Sequence, residues 1–430
     1  MKPINSVVKR VKPSILDRLF PSIFKRRRHI LDYFRLAKNG TITGAADNDP
    51  SGIITYSQVG ATTGFSLLWL LILTTPLLAA IEEMSARVAV VTKKSLANQI
   101  NLKFGRKIAL LIAILVVVCN IATIGADIAG MGEVLGILTN TPWFLFVVLI
   151  AIFLSVLLIR GSYSSISRFF FLLTPIFICY IAVAIIIKPN WQTVLSGTLN
   201  PLSFGGLNYW TVAVALLGTT LSPYLVFWQN TEEIEEKKQV KDLEDESFGV
   251  KTGMIYCNLI SYFIIIATGA VLFKEGISIN TVKDAAVALR PLAGERAFYL
   301  FSLGLLGSGF LAVPILATSS AHIFSDIFRW KEGLDKKIWQ ARGFYSVLLL
   351  SLFFGITLSL VGLSPVKMLV YSQVINGLLM PILIYFLIKT ANNKGIMGQY
   401  TNKAWVNVFG WLAFFIILGF DIVLIWQWIK

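Results

Sequence analysis

The chain is nearly without histidine, with two in 430 residues, and it carries only three cysteines. No HExxH centre, no Cys-X-X-Cys pair and no disulfide framework can be assembled from that supply. Cys119, Cys179 and Cys257 fall in separate apolar runs and read as small core residues. A membrane enzyme has no visible nucleophile motif to work with. Charge is scarce too. Only 14% of residues are Asp, Glu, Lys or Arg against 56% hydrophobic, and the mean hydropathy of +0.73 excludes a soluble domain of this length. No short apolar segment with a small-residue cleavage site precedes the first long apolar run, so no cleaved leader is expected.

What is present is apolar sequence in membrane-crossing lengths. A run of roughly 20 residues crosses the hydrocarbon. Eleven such runs are expected, centred near residues 52, 76, 119, 151, 178, 219, 263, 311, 352, 378 and 416. The class is an all-α integral membrane protein, with a basic segment at 1–38 and a single transmembrane domain over 39–430. The net charge of +15 sorts by side. Of 38 Lys and Arg, 31 lie in the N-terminal segment and in the loops after spans two, four, six, eight and ten. By the positive-inside rule the N-terminus is cytoplasmic and the C-terminus extracytoplasmic, so the bilayer explains the basic excess and nucleic acid is not expected. "ILDRLFPSIF" (15–24) reads as a surface helix or a mobile tail. The charged stretch 230–253 reads as a solvated helical connection, with a regulatory ion or partner site as the alternative.

Two spans are interrupted in the same way. The first reads "NGTITGAADNDPSGIITYSQVGATTG" and the sixth "WTVAVALLGTTLSPYLVFWQN", each with a proline among small and hydroxylated residues near its middle. Proline removes a backbone hydrogen bond, and lipid cannot satisfy the carbonyl it frees. Five spans separate the pair, so they run in opposite directions. Two inverted five-span repeats plus an eleventh span would produce that pattern, with the broken helices meeting at a midplane binding site.

The chemistry of that site follows from "ADNDPSG" (46–52). Two acids in a span mark a site or a pathway, and they repel unless a proton or cation lies between them. The donors at the breaks are Asp49 and Asp47, the Asn48 amide, the hydroxyls of Thr219, Thr220 and Ser222, and freed carbonyls. All are hard oxygens, suited to Mg²⁺, Mn²⁺ or Ca²⁺ and of no special advantage to soft metals. An amino-acid carrier of the same architecture would present helix N-termini to a substrate carboxylate, and these acids argue against it. Outside the breaks, Glu83 is placed for an i, i+4 pair with Arg87 and His322 for one with Asp326, Asp127 reads either as a hydrogen-bonded partner to a neighbouring helix or as part of an ion pathway, and Glu133 as part of that pathway near its outer end.

From Asp49 through "EEMSARVAVVTKKSLANQI" (82–100), and again in "VYSQVINGLLMP" (370–381), the chain resembles the Nramp metal-ion transporters. The first span of that family carries Asp-Pro-Gly-Asn and its second ends in a similar Ser-Ala-Arg segment. The resemblance implies a LeuT-type fold, with spans 1–5 and 6–10 as inverted repeats. The departures are equally informative. The family's Asn ligand is Gly52 here, its Met-Pro-His is Ser222-Pro223-Tyr224, and two Glu of its third span become Asn120 and Gly130. That pattern is similar to the Nramp-related magnesium transporters. It implies transport of Mg²⁺ and Mn²⁺ as substrate, largely hydrated and without proton coupling, at a site formed by Asp49, the carbonyl of Ala46, the backbone near Thr219, Ser222 and Gln373. A conventional proton-coupled Mn²⁺/Fe²⁺ carrier is the alternative. No resident cofactor is expected, and the chain is expected to be a monomer in a bacterial inner membrane.

Overall fold

The computed structural model describes residues 40–201, 206–277, 279, 290–361 and 365–429. The basic segment 1–38, with its expected surface helix, lies outside the described residues.

Among the described residues, ten helices are long and apolar enough to cross a membrane. They are span two (Leu68–Thr92), three (Arg106–Thr139), four (Trp143–Arg160), five (Ser165–Ile187), six (Leu207–Glu235), seven (Val240–Phe273), eight (Gly294–Phe328), nine (Arg342–Leu360), ten (Val366–Ala391) and eleven (Ala404–Ile429). Span one is the remaining crossing, split into a half-helix at residues 40–46 and a second at Pro50–Thr63. Span six is split likewise, into Leu207–Thr220 and Pro223–Glu235.

Lipid exposure and burial divide the spans. Spans four and eleven present Leu149, Ile152, Phe153, Phe415, Ile422 and Trp426 outward, whereas six is mostly buried. Among the interior spans, glycine sets the closest approaches, because a backbone without Cβ is what lets helices touch where no hydrophobic force drives them together. Gly40 and Gly44 of span one lie directly on the Gly249 and Gly253 carbonyls of span seven. Further along, Gly60 lies on Thr268 and Ile265, so span seven follows both halves of span one. Span six meets ten where Gly218 lies against the Gln373 carbonyl, and three meets nine at Gly125 and Gly355.

The stretch 230–253 is a solvated connection only in its middle, where Lys237, Gln239, Lys241 and Glu244 are exposed, and its two ends are buried. Asn230, Glu232 and Glu233 are buried at the end of the half-helix Pro223–Glu235, and Glu246 is buried in the first turn of the next helix, Leu243–Thr268. Its charges are shielded by neighbours that sequence distance conceals. Thr43 donates to Glu232 at 2.9 Å, Lys238 pairs with Glu246, and Asn230 spans Ser85 and Leu96. Glu83 does pair with Arg87, and it gains Lys251 at 3.1 Å and Ser247 at 2.8 Å. Its neighbour Glu82 is fully buried with neither oxygen hydrogen-bonded. His322 finds Glu332 at 3.2 Å and Glu235 at 3.8 Å, so the loop after span eight supplies the carboxylate expected of Asp326.

Candidate metal-ion site at the two helix breaks

The break in span one is built by Asp49 and Pro50. Asp49 holds an extended backbone (φ −65°, ψ 168°) and its Oδ1 accepts from the Gly52 amide, capping the half-helix that Pro50 begins. In span six, Ser222 takes the capping position before Pro223, but its hydroxyl makes no cap bond. The hydroxyl instead lies 2.9 Å from Asp47 Oδ1 and 2.8 Å from the Thr219 carbonyl, two acceptors for one proton. The half-helices 40–46 and Leu207–Thr220 therefore end at the same place. Both present carbonyl ends, the negative poles of their dipoles, to one point near the middle of the protein.

Three oxygens converge there. A Cβ placed on Gly52 would stand 2.8 Å from Thr219 Oγ1, 3.0 Å from Asp49 Oδ1 and 3.1 Å from the Asp47 carbonyl. Beside them, span three contributes Asp127, whose Oδ1 accepts from the Ser51 amide at 2.9 Å and the Ser51 hydroxyl at 2.6 Å. The second carboxylate oxygens of Asp49 and Asp127 are both buried without a hydrogen bond. The two carboxylates accept from the amides of neighbouring residues, Asp49 from Gly52 and Asp127 from Ser51, and so lie beside each other. Buried acids in this relation need a cation or a shared proton.

The expected residues separate into distinct roles. Asp49, Thr219 and the backbone of Asp47 meet at the centre. Both carboxylate oxygens of Asp47 are already engaged, one by Ser222 and the other by the Cys257 thiol at 2.9 Å, so its side chain fastens the breaks to span seven. Asn48 turns to span seven as well, donating to the Cys257 carbonyl at 3.2 Å and accepting from Ser261 at 2.8 Å. The Ala46 carbonyl accepts from the Tyr224 hydroxyl at 2.8 Å. Thr220 donates to Leu216 of its own helix and faces Tyr56 at 3.3 Å. Gln373 takes a bond from Asn376 at 3.0 Å and leaves its amide nitrogen unpartnered. Glu133 lies six residues along the helix from Asp127, about 9 Å at 1.5 Å per residue, half-buried and away from the breaks. Asn120, where the family resemblance would place Glu, donates to Ser320 of span eight at 2.9 Å.

Sequence reading missed Cys257, Ser261, Ser51 and Tyr56. Cys257 and Ser261 lie on span seven opposite the break and Ser51 and Tyr56 on span one just after it, and only the partners that folding brings to them give them a role. No cluster of three or more His, Cys, Asp or Glu side chains suited to a metal occurs among the described residues, so a cation here would rest on mixed carboxylate, hydroxyl and carbonyl oxygens.

The two sides of the site differ. On the side away from the N-terminus, a cavity of about 730 Å³ is lined by Gln58 and Thr62 of span one, Asn208 and Thr211 of span six, and Lys367 and Tyr371 of span ten. Toward the N-terminal side the described residues are tied together. Glu232 takes Thr43 of span one and, at 3.4 Å, the hydroxyl of Tyr163 ahead of span five, while the glycine contacts seal residues 40–46 against span seven.

Residues 40–427 match the family model described as Nramp, natural resistance-associated macrophage protein-like. Similar curated proteins include a divalent metal cation transporter MntH of Verminephrobacter eiseniae, 26% identical over 417 residues and covering 94% of this chain and 91% of that one. The MntH of Bacillus subtilis is 24% identical over 397 residues, covering 89% and 90%. In fold, the chain is similar to a manganese transporter of Eremococcus coleocola, with a TM-score of 0.70, 20% identity and coverage of 93% and 88%. A Na⁺-coupled sialic acid symporter shares the architecture at a TM-score of 0.63, 12% identity and 93% coverage of both chains.

Proposed function

The chain belongs to the Nramp family, and on that premise we propose that it carries divalent metal cations through the membrane, with Mg²⁺ and also Mn²⁺ as substrates. The observation that carries this proposal is the oxygen cluster around Gly52, with the unpartnered oxygens of Asp49 and Asp127 beside it. At position 222 the side chain is a serine hydroxyl engaged with Asp47, which supplies no thioether to draw a transition metal away from Mg²⁺. Mg²⁺ dehydrates reluctantly, and a site with few direct ligands suits an ion that keeps part of its water.

The same geometry argues against an amino acid as substrate. The N-terminus of Pro50–Thr63, where a substrate carboxylate would be received, is capped by the protein's own Asp49. Transport proceeds by alternating access, with the far-side cavity as one entrance and the contacts of Glu232 and the glycines as the closed door opposite. The N-terminus is cytoplasmic, the C-terminus is extracytoplasmic, and the carrier acts as a monomer in a bacterial cell membrane. Proton coupling is absent, consistent with Asn120 tied to Ser320 and with no side chain at Gly130.

Uptake into proteoliposomes containing a pH-sensitive dye tests the proposal. Mg²⁺ entry without acidification is expected. Mn²⁺ entry with acidification and no Mg²⁺ flux would establish the proton-coupled alternative; the name of the Eremococcus coleocola transporter supports manganese as a substrate.

A further inference from the structure

The cavity on the side away from the N-terminus carries a single charged side chain on its described wall. Gln58 and Thr62 of span one, Asn208 and Thr211 of span six and Tyr371 of span ten line it with neutral polar groups, and no carboxylate is among the described lining residues. Lys367 is the exception. It stands on the first turn of span ten, exposed, one helical turn from Tyr371 on the same face, and it forms no hydrogen bond or ion pair with any described residue.

The backbone does not offset that charge. Spans six and ten begin at this mouth and present positive poles, whereas spans one and seven end there and present negative ones, so the four helix ends balance in number. Neither starting helix carries an acid in its first turn. Lys274 and Glu275, beside Gly276 of the lining, are exposed neighbours of opposite sign outside it. The Lys367 ammonium therefore sets the sign of the field in the cavity.

A cation bound for the helix breaks from this side passes that ammonium. The volume of about 730 Å³ takes an octahedral ion with its whole first shell, roughly 180 Å³ of water at about 30 Å³ per molecule. Between the cavity and the breaks stand the Tyr56 hydroxyl, 3.3 Å from Thr220, and Gly218 against the Gln373 carbonyl. Lys367 lies six residues before Gln373 on span ten, about 9 Å at 1.5 Å per residue, or about one screening length at physiological salt.

We infer that Lys367 is an electrostatic filter at the entrance, which weakens the apparent affinity for divalent cations without touching the site at the breaks. Repulsion grows with the charge of the ion, so a dication is excluded by the square of the factor that applies to a monovalent one. Such an entrance suits an ion that is plentiful on the cavity side. Of the two proposed substrates that is Mg²⁺. The inference rests on the proposed transport of divalent cations, and not on which of them is carried.

The test is initial uptake into proteoliposomes of neutral phosphatidylcholine, run for Mg²⁺ and for Mn²⁺ over a range of tetramethylammonium chloride. Wild-type KM is expected to fall as salt rises, because salt screens the repulsion. Lys367→Gln is expected to lower KM about three- to tenfold at low salt, with an unchanged maximal rate and a flat salt dependence. Lys367→Glu is expected to lower it further and to reverse the slope, so that KM rises with salt. Lys188→Gln removes an exposed lysine at the end of span five, on the same side of the membrane but outside the cavity lining, and is expected to leave KM as it is. The effect seen with Mn²⁺ when Mg²⁺ is not carried supports the filter and removes Mg²⁺ as a substrate. KM and salt dependence unchanged in both Lys367 variants, or shifted equally by Lys188→Gln, overturn the inference. A rise in KM in Lys367→Gln overturns it too, since the ammonium would then be drawing cations in through a bound anion. Uptake of neither ion removes the premise of transport and the filter with it.

Discussion

The hydroxyl of Ser222 lies 2.9 Å from Asp47, joining the break of span six to the break of span one. This contact occupies the place where the family resemblance sets a methionine, so the residue that would make the site soft is here used to fasten two helices. Ser222→Met is expected to raise Mn²⁺ and Cd²⁺ transport relative to Mg²⁺ and to lower stability by about 1.5–3 kcal/mol through the lost bond to a carboxylate. Competition uptake with the three ions measures the first effect and thermal melting the second. Unchanged selectivity would show that position 222 does not face the ion.

Asp49 does two things that substitution can separate. Asp49→Ala loses both the helix cap and the charge, costing about 1 kcal/mol of stability and all uptake. Asp49→Asn keeps a good cap and removes only the charge, so its melting temperature should match wild type while uptake is still lost. Retained uptake in the Asn variant would mean that Asp49 matters only as a cap.

Restoring the family's asparagine as Gly52→Asn is expected to abolish transport rather than improve it. Its Cβ would stand 2.8 Å from Thr219 Oγ1 and 3.0 Å from Asp49 Oδ1, and overpacking of this kind costs about 1–3 kcal/mol. Gly52→Ala should already show most of the loss. Normal uptake in both would show that the breaks part more readily than their packing implies.

Cys257 donates to Asp47, so the polar substitute should serve and the apolar one should not. Cys257→Ser is expected to retain uptake, whereas Cys257→Ala leaves a buried carboxylate oxygen short of a donor, at a cost of about 1–3 kcal/mol. Equal uptake and equal melting in the two variants would show that the thiol only fills space.

Gly253 carries the closed door. A Cβ there runs into the Gly40 carbonyl, so Gly253→Leu should force residues 40–46 away from span seven. A cysteine introduced at Ile42, buried in the closed arrangement, is then expected to react with a water-soluble maleimide several times faster than in the Gly253 parent. An unchanged labelling rate would show that this contact does not hold the side shut.

The architecture was legible because lipid imposes it. Crossing hydrocarbon demands long apolar runs, and the acids and prolines of spans one and six stand out against them. Asp49 was legible for the same reason. The fates of Asp47 and Asn48 were not, since their partners Ser222, Cys257 and Ser261 lie 175 to 213 residues away. Glu232 and Glu233 looked solvated because charge density in a sequence signals water; here the neighbouring spans fold over them. Cys257 offered no signal at all, being one thiol in an apolar run.

Asn48 is fastened to span seven by Cys257 and Ser261, just past the last turn of the first half-helix, where its amide still bonds the Ala45 carbonyl at 3.2 Å, and ahead of the bond from Ile53 to Asp49 that opens the second. That makes it a pivot. The half-helices on either side lean on the same rail, through Gly40 and Gly44 below it and Gly60 above, yet no continuous helix transmits a tilt from one to the other. Each arm of the lever can leave the rail while the other stays seated, which is what a carrier needs if its two doors are never to stand open together.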